Sequence, residues 1–252
     1  MQLKSKDDIR LLKISGRILV RVLKELEKKA KPGVSLLDLE KRAREIIKKY
    51  GGEPAFLGYK PRPNATPYPA AICASVNEGL VHGIPHDIPL KDGDLLKIDV
   101  GVSYKNRLTD AAITVEVGKV RKEAKRLEKC TLEALKQAIK ACKPGGHIGD
   151  IGWAVEQTVK KYGYSVAEKL SGHGVGFEVH ESPTVHNYGE KGEGEELVPG
   201  MVIAIEPMVI TGSGEIVEKE DGGFDAKDGS LTAHFEKTIA ITDRGYIDLT
   251  PW

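Results

Sequence analysis

"KPGVSLLDLEKRAREIIKKYG" runs from Lys31 to Gly51, and "KPGGHIGDIGWAVEQTVKKYG" runs from Lys143 to Gly163. The two stretches align without a gap. Lys-Pro-Gly, an aspartate (Asp38 and Asp150) and Lys-Lys-Tyr-Gly fall at matching positions. Proline and glycine break a preceding helix, and the aspartate sits where a capping box opens the next one, as in "SLLD" from Ser35. Basic residues followed by glycine then close that helix. The segment before the first copy, Ser5 to Ala30, carries Ile9, Leu12, Leu19, Val22, Leu23 and Leu26 at helical spacing. The segment before the second, roughly Glu123 to Cys142, has the same pattern.

A second echo follows downstream. "DGDLLKIDV" (Asp92 to Val100) and "PGMVIAIEP" (Pro199 to Pro207) both read as a glycine turn, a short apolar strand and then an acid. Each half of the chain is therefore expected to run helix, helix, strands, with one acid at the end of an apolar strand. The predicted architecture is α+β: one domain of two pseudo-twofold halves, roughly 1–118 and 119–252, with their strands in a common core.

Composition narrows the function classes. Charged residues make up 30% of the 252, yet the net charge is only +1, which argues against nucleic-acid binding by bulk charge. "MQLKSKDDIR" holds no apolar signal region, and no apolar run is long enough to span a bilayer. Cys73, Cys130 and Cys142 form no spaced framework, which fits a reducing cytoplasm. The sequon at Asn64 reads as an unmodified loop. The acidic "GEKGEGEEL" (Gly189 to Leu197) reads as a solvated connection.

The acids are out of place for apolar strands. Asp99 follows Leu95, Leu96 and Ile98; Glu206 follows Val202 to Ile205. Either one alone reads as a strand end reaching solvent, since a buried acid needs partners. Their matching positions in the repeat weaken that reading. Asp110 lies beyond a turn at "YKNR", on the return strand of a hairpin whose first strand is expected to end at Asp99. Glu236 precedes the apolar strand "TIAI". Four converging carboxylates would repel unless some stay protonated or cations balance them. Two divalent cations would do so, with His173 of "SGHGVG" as nitrogen ligand. Such a donor set suits Mn, Fe, Co or Zn, and a metal pair of that kind activates water for attack on a carbonyl.

"SVNEGLVHGIP", "KIDVGV", "SGHGVG", "IEPM" and "HFEKTIAIT" together resemble the methionine aminopeptidase family, in order and spacing across nearly the whole chain. The resemblance implies the pita-bread fold, with a curved, mainly antiparallel sheet covered by helices. It also implies removal of the N-terminal methionine from nascent polypeptides with a small second residue. The implied ligands are Asp99, Asp110, His173, Glu206 and Glu236, with Asp110 and Glu236 bridging. Glu206 is also implied as the proton carrier for the bridging water. His180 should meet the scissile carbonyl or its oxyanion, and His82 the peptide beyond it. Tyr59, Tyr68 and Cys73 should wall the methionine pocket, where rings and a thiol suit a thioether.

Glu206 and Glu236 lie too close in sequence for the helical insertion of type II enzymes, so the short, bacterial-style type I form is expected. The chain departs from the family in a longer proline-rich stretch (Gly58 to Cys73) and in Phe56 where a cysteine is common. It departs again in Val179 where phenylalanine is frequent, and in "EDGGF", where Phe224 stands in for a tryptophan. The rival enzyme is a prolidase or Xaa-Pro aminopeptidase, which "GHGVGFEVHESP" partly resembles but which usually carries a separate N-terminal domain. A catalytically inactive pita-bread binding protein is the rival from another class; such proteins lose the ligands retained here. The expected protein is a cytoplasmic monomer with nascent peptide N-termini as partners, near the ribosome.

Overall fold

Each helix pair is set by local chemistry. A computed structural model describes residues 2–60, 62, 64–167 and 169–252; Pro61 and Pro63 of the proline-rich stretch lie outside them. The first part of the chain runs α1 (Lys6–Lys29), α2 (Leu36–Lys49), β1 (Glu53–Pro54), β2 (Ile72–Val76), β3 (Gly79–Val81), β4 (Leu95–Ser103) and β5 (Leu108–Glu116). The second runs α3 (Lys122–Ala141), α4 (Ile148–Tyr162), β6 (Ser165–Val166), β7 (Ser171–Gly174), β8 (Glu181–His186), β9 (Val202–Ile205) and β10 (Met208–Ile210). It closes with β11 (Ile216–Glu218), β12 (Phe224–Ala226), β13 (Thr232–His234), β14 (Lys237–Thr242) and β15 (Gly245–Asp248).

Ser5 with Asp8 and Ser35 with Asp38 form capping boxes at α1 and α2, satisfying N–H groups the helix cannot pair. Asp150 does the same at α4 by accepting from His147 N at 2.8 Å. The acidic loop expected to be a mere connection also contributes here. Its Glu195 and Glu193 carbonyls accept from Ile148 N (3.0 Å) and Gly149 N (2.9 Å), so its backbone caps α4 while its glutamate side chains stay in solvent and Leu197 anchors its end in the core. Leu12, Leu19, Val22, Leu23 and Leu26 of α1 are buried; Ile9 is half-buried at the rim.

Among the described residues every strand pairing is antiparallel. β4 pairs with β5 on one edge and with β2 and β1 on the other. The counterpart sheet runs β15-β14-β9-β7-β8. One apolar core draws on both parts, from Leu19 and Ile98 to Val155 and Ile239. The β4–β5 hairpin turns at Tyr104–Arg107, with Lys105 and Asn106 both left-handed (φ 50° and 57°), as a tight two-residue hairpin loop requires.

Two threonines hold the parts together. Thr238 Oγ1 on β14 accepts from Asp110 N (2.9 Å) and donates to Asp110 O (2.7 Å). Thr114 on β5 mirrors this, with its Oγ1 donating to His234 O (2.7 Å) and accepting from His234 N (3.0 Å). Each half thus lends a hydroxyl to a strand of the other, where no ladder partner exists. One expectation fails here. β4 does not end at Asp99 but continues to Ser103, because Val100 and Val102 carry the buried alternation onward. Asp99 is a mid-strand acid on the cavity side, opposite Ala112 and Cys73.

Candidate metal centre

The seam between β5 and β14 puts the acids together. Asp99 comes from β4 and Asp110 from β5, whereas Glu206 follows β9 and Glu236 precedes β14. Their backbones are individually tied. Glu236 N donates to Ala112 O (3.0 Å), and Trp252 Nε1 donates to Glu236 O (3.0 Å). Asn187 Nδ2 donates to Glu206 O (3.0 Å). His173 on β7 lies opposite Ala204 of β9 and points Nε2 at Glu206 Oε1, 3.5 Å away. One ligand atom each from Asp110, His173 and Glu236 lies within 4.8 Å of the others, and so does a set from Glu206, His234 and Glu236. All of these except His234, together with Asp99, line a cavity of about 610 Å³.

The side-chain chemistry fits divalent cations. Asp99 Oδ1, Asp110 Oδ1 and Glu236 Oε1 are buried without a hydrogen-bond partner. Among the described residues, only imidazoles approach the four carboxylates within ion-pair distance. The nearby buried lysine, Lys97, spends its ammonium on the carbonyls of Asn77 (2.8 Å) and Leu95 (3.1 Å), and burial lowers its pKa to about 7. Burial, reinforced by neighbouring acids, pushes Asp99, Glu206 and Glu236 well above the usual carboxylate range; burial also lifts Asp110 to about 7. A protein that buries four such acids needs positive charge between them. His173 is held neutral, its pKa lowered to about 4 by burial, and Gly174 O takes its Nδ1 at 2.9 Å. That leaves Nε2 as a lone-pair donor.

The model of metallopeptidase family M24 matches residues 10–243. The chain belongs to that family. Methionine aminopeptidase of Aquifex aeolicus is 44% identical over 256 residues, covering 99% of this chain and 98% of the relative. The crystal structure of methionine aminopeptidase from Thermotoga maritima superposes with a TM-score of 0.95 at 41% identity, covering 99% of both chains. Within M24 the chain is a type I methionine aminopeptidase, and its α+β fold is the pita-bread fold of those structures. Prolidase from Pyrococcus furiosus shares the fold at a TM-score of 0.80 and 25% identity, but this chain covers only 65% of it.

The rest of the cavity in this M24 peptidase has an apolar wall and a polar mouth. Phe56, Cys73 and Val179 are buried together, with Tyr59 and Tyr68 packed against them. The three expected pocket residues are thus brought to one place beside the acids. Cys73 sits opposite Asp99 in the sheet, and burial keeps its thiol protonated. Tyr68 Oη lies 2.9 Å from Gly83 O and 3.1 Å from Ile72 O. Arg62, Asn64 and Thr66 line the same cavity, so the proline-rich stretch borders it.

His180 packs edge-on against His173, with ring centroids 4.3 Å apart. Burial, with His173 and His82 nearby, lowers its pKa to about 3, and its Nδ1 meets Tyr59 Oη at 2.6 Å. His82 opens onto the cavity from a left-handed backbone (φ 60°) and packs edge-on against Phe224 at 5.7 Å. Burial lowers its pKa as well.

Two buried polar groups beside the cavity escape sequence reasoning. Glu40 on α2 is buried and accepts from Ala71 N (2.8 Å) and Ile72 N (3.1 Å), fixing the start of the strand that carries Cys73. His234 is 1% exposed and faces Glu206. Neither carries a spacing signal. A glutamate in an amphipathic helix reads as surface, and a histidine beside Phe235 reads as core.

Proposed function

We propose that the protein removes the amino-terminal methionine from nascent polypeptides whose second residue is small. The observation that supports this most is the meeting of four buried carboxylates and a neutral imidazole with an aromatic and thiol-lined pocket in one cavity. Asp99, Asp110, His173, Glu206 and Glu236 would hold two divalent cations (Co, Mn, Fe or Zn). Such a pair supplies Lewis acidity to the scissile carbonyl and lowers the pKa of water.

Glu206 takes the proton from the attacking water and delivers it to the leaving amine. Tyr59 Oη and Nδ1 of the neutral His180 lie 2.6 Å apart; with the hydroxyl as donor in that bond, His180 carries its proton on Nε2 and offers it to the developing oxyanion. His82 contacts the peptide on the leaving side. Tyr59, Tyr68 and Cys73, with Phe56 and Val179, surround the methionine thioether.

The protein acts as a single domain of two halves and as a monomer. Three unpaired, buried cysteines suit a reducing cytoplasm, and nascent chains place the work near ribosomes. No described helix is long and apolar enough to cross a membrane. The test is peptide hydrolysis by metal-loaded protein. Met-Ala-Ser should lose methionine, whereas Ala-Pro dipeptides should persist. Cleavage confined to X-Pro bonds would replace this reading with a prolidase, and failure to bind metal would remove the enzyme altogether.

A further inference from the structure

Glu206 sits between two imidazoles, one for each carboxylate oxygen. His173 Nε2 lies 3.5 Å from Oε1, and His234 Nε2 lies 3.3 Å from Oε2. The two histidines differ at their other nitrogen. His173 Nδ1 has the Gly174 carbonyl at 2.9 Å, so it carries the proton and leaves Nε2 free for a cation. Neither ring nitrogen of His234 makes a formed hydrogen bond, but Nε2 is the one that comes within ion-pair distance of the Glu206 and Glu236 carboxylates. An orphaned buried N–H costs more than an unshared lone pair, so the His234 proton belongs on Nε2, facing Glu206. Its backbone is clamped at N and O by Thr114 Oγ1, which fixes where the ring can point. Glu236 Oε2, at 3.9 Å, is beyond hydrogen-bond reach of the same nitrogen.

We propose that His234 is a positioning residue: its Nε2–H donates to Glu206 Oε2 and holds the carboxylate so that Oε1 stays on the His173 side. Glu206 then has one oxygen committed to the imidazole and one turned to the cations and the water. This assignment rests on the functional reading above only for its catalytic consequence; the effect on cation binding stands independently.

The test uses full-length His234→Leu and His234→Gln, the latter keeping an N–H donor. Cobalt(II) titration by calorimetry should show two cations bound by both. The tighter site should weaken about 10- to 100-fold in His234→Leu. In His234→Gln it should stay within roughly threefold of wild type, the donor being kept. On Met-Ala-Ser, kcat of His234→Leu should fall by a similar factor with KM little changed, and His234→Gln should recover most of it. Wild-type affinity in His234→Leu, or equal impairment in both variants, would overturn the proposal. Loss of one cation from both would make His234 a ligand and overturn it equally. If wild-type protein binds two cations but releases no methionine, the functional reading fails, while the calorimetry still decides His234. Should His234→Leu fail to fold, His234→Met serves as the donor-less variant.

Discussion

Thr238→Val tests whether the threonine seam holds the halves and the site together. Valine has nearly the same shape, so packing in this fully buried position is preserved and only the hydroxyl is lost. Two groups then lose their partner, the N–H and C=O of Asp110, which bond Thr238 Oγ1 at 2.9 and 2.7 Å. Each buried group left unsatisfied costs about 1–3 kcal/mol. Burying a methyl in place of the hydroxyl returns roughly 0.8 kcal/mol. The net loss is therefore about 1–5 kcal/mol, which for a chain of this size lowers Tm by roughly 2–20 °C. Urea denaturation of the metal-free protein measures it, with Thr238→Ser as the control that keeps the hydroxyl. The reasoning is refuted if Thr238→Val lies within about 0.5 kcal/mol of wild type, or if Thr238→Ser is equally destabilised.

Removing metal should make stability fall with pH above neutrality. Asp99, Asp110, Glu206 and Glu236 have raised pKa values in the folded state, so there they bind more protons than in the unfolded chain, and stability declines as pH rises through those values. His173, His180 and His234 have depressed values of about 4, 3 and 3, so they oppose this only below their unfolded pKa of about 6.5. Between about pH 6.5 and 8.5, melting of chelator-treated protein should drop steadily while metal-loaded protein holds level; parallel curves would mean the acids are not the metal site. Gly101→Ala should narrow the methionine pocket, because a Cβ there would lie 2.6 Å from Phe56 Cε1 and drive that ring toward Cys73. Overpacking of about 1–2 kcal/mol predicts KM for Met-Ala-Ser up roughly 5- to 30-fold, and an unchanged KM would show that Phe56 does not shape the pocket.

The helices and the order of elements are legible in the sequence because their signals are local. Ser35 and Asp38 cap a helix whatever surrounds them, and Lys31-Pro32-Gly33 ends one. The acids stand out because Asp99 and Glu206 interrupt apolar runs, a conflict that only a tertiary partner resolves. What does not show is anything fixed by the seam. Threonine is an ordinary strand residue, so nothing marks Thr114 and Thr238 as cross-half clamps until β5 and β14 are side by side. The length of β4 is misread for a related reason. An acid in a strand suggests an end, yet Asp99 faces a polar cavity while its neighbours Ile98 and Val100 face the core.

The division of labour between strands and loops explains how this site can vary without losing its chemistry. The five proposed ligands lie on or beside paired strands, and Asp110, Glu206 and Glu236 have backbones bonded outside their own ladder, by Thr238, Asn187 and Ala112. Groups held that way keep their geometry within the tolerance a cation pair demands. Tyr59, Tyr68, His82 and His180 instead sit on connections, where backbone changes cost little. The positions read from the sequence as departures from the family pattern, Phe56, Val179, Phe224 and the stretch from Gly58 to Cys73, all fall on the second group or its immediate support. They can reshape the proposed methionine pocket while leaving the carboxylates where the seam puts them. A change at the seam has the opposite character: it touches Asp110 through Thr238, or His234 through Thr114, and neither threonine lines the cavity.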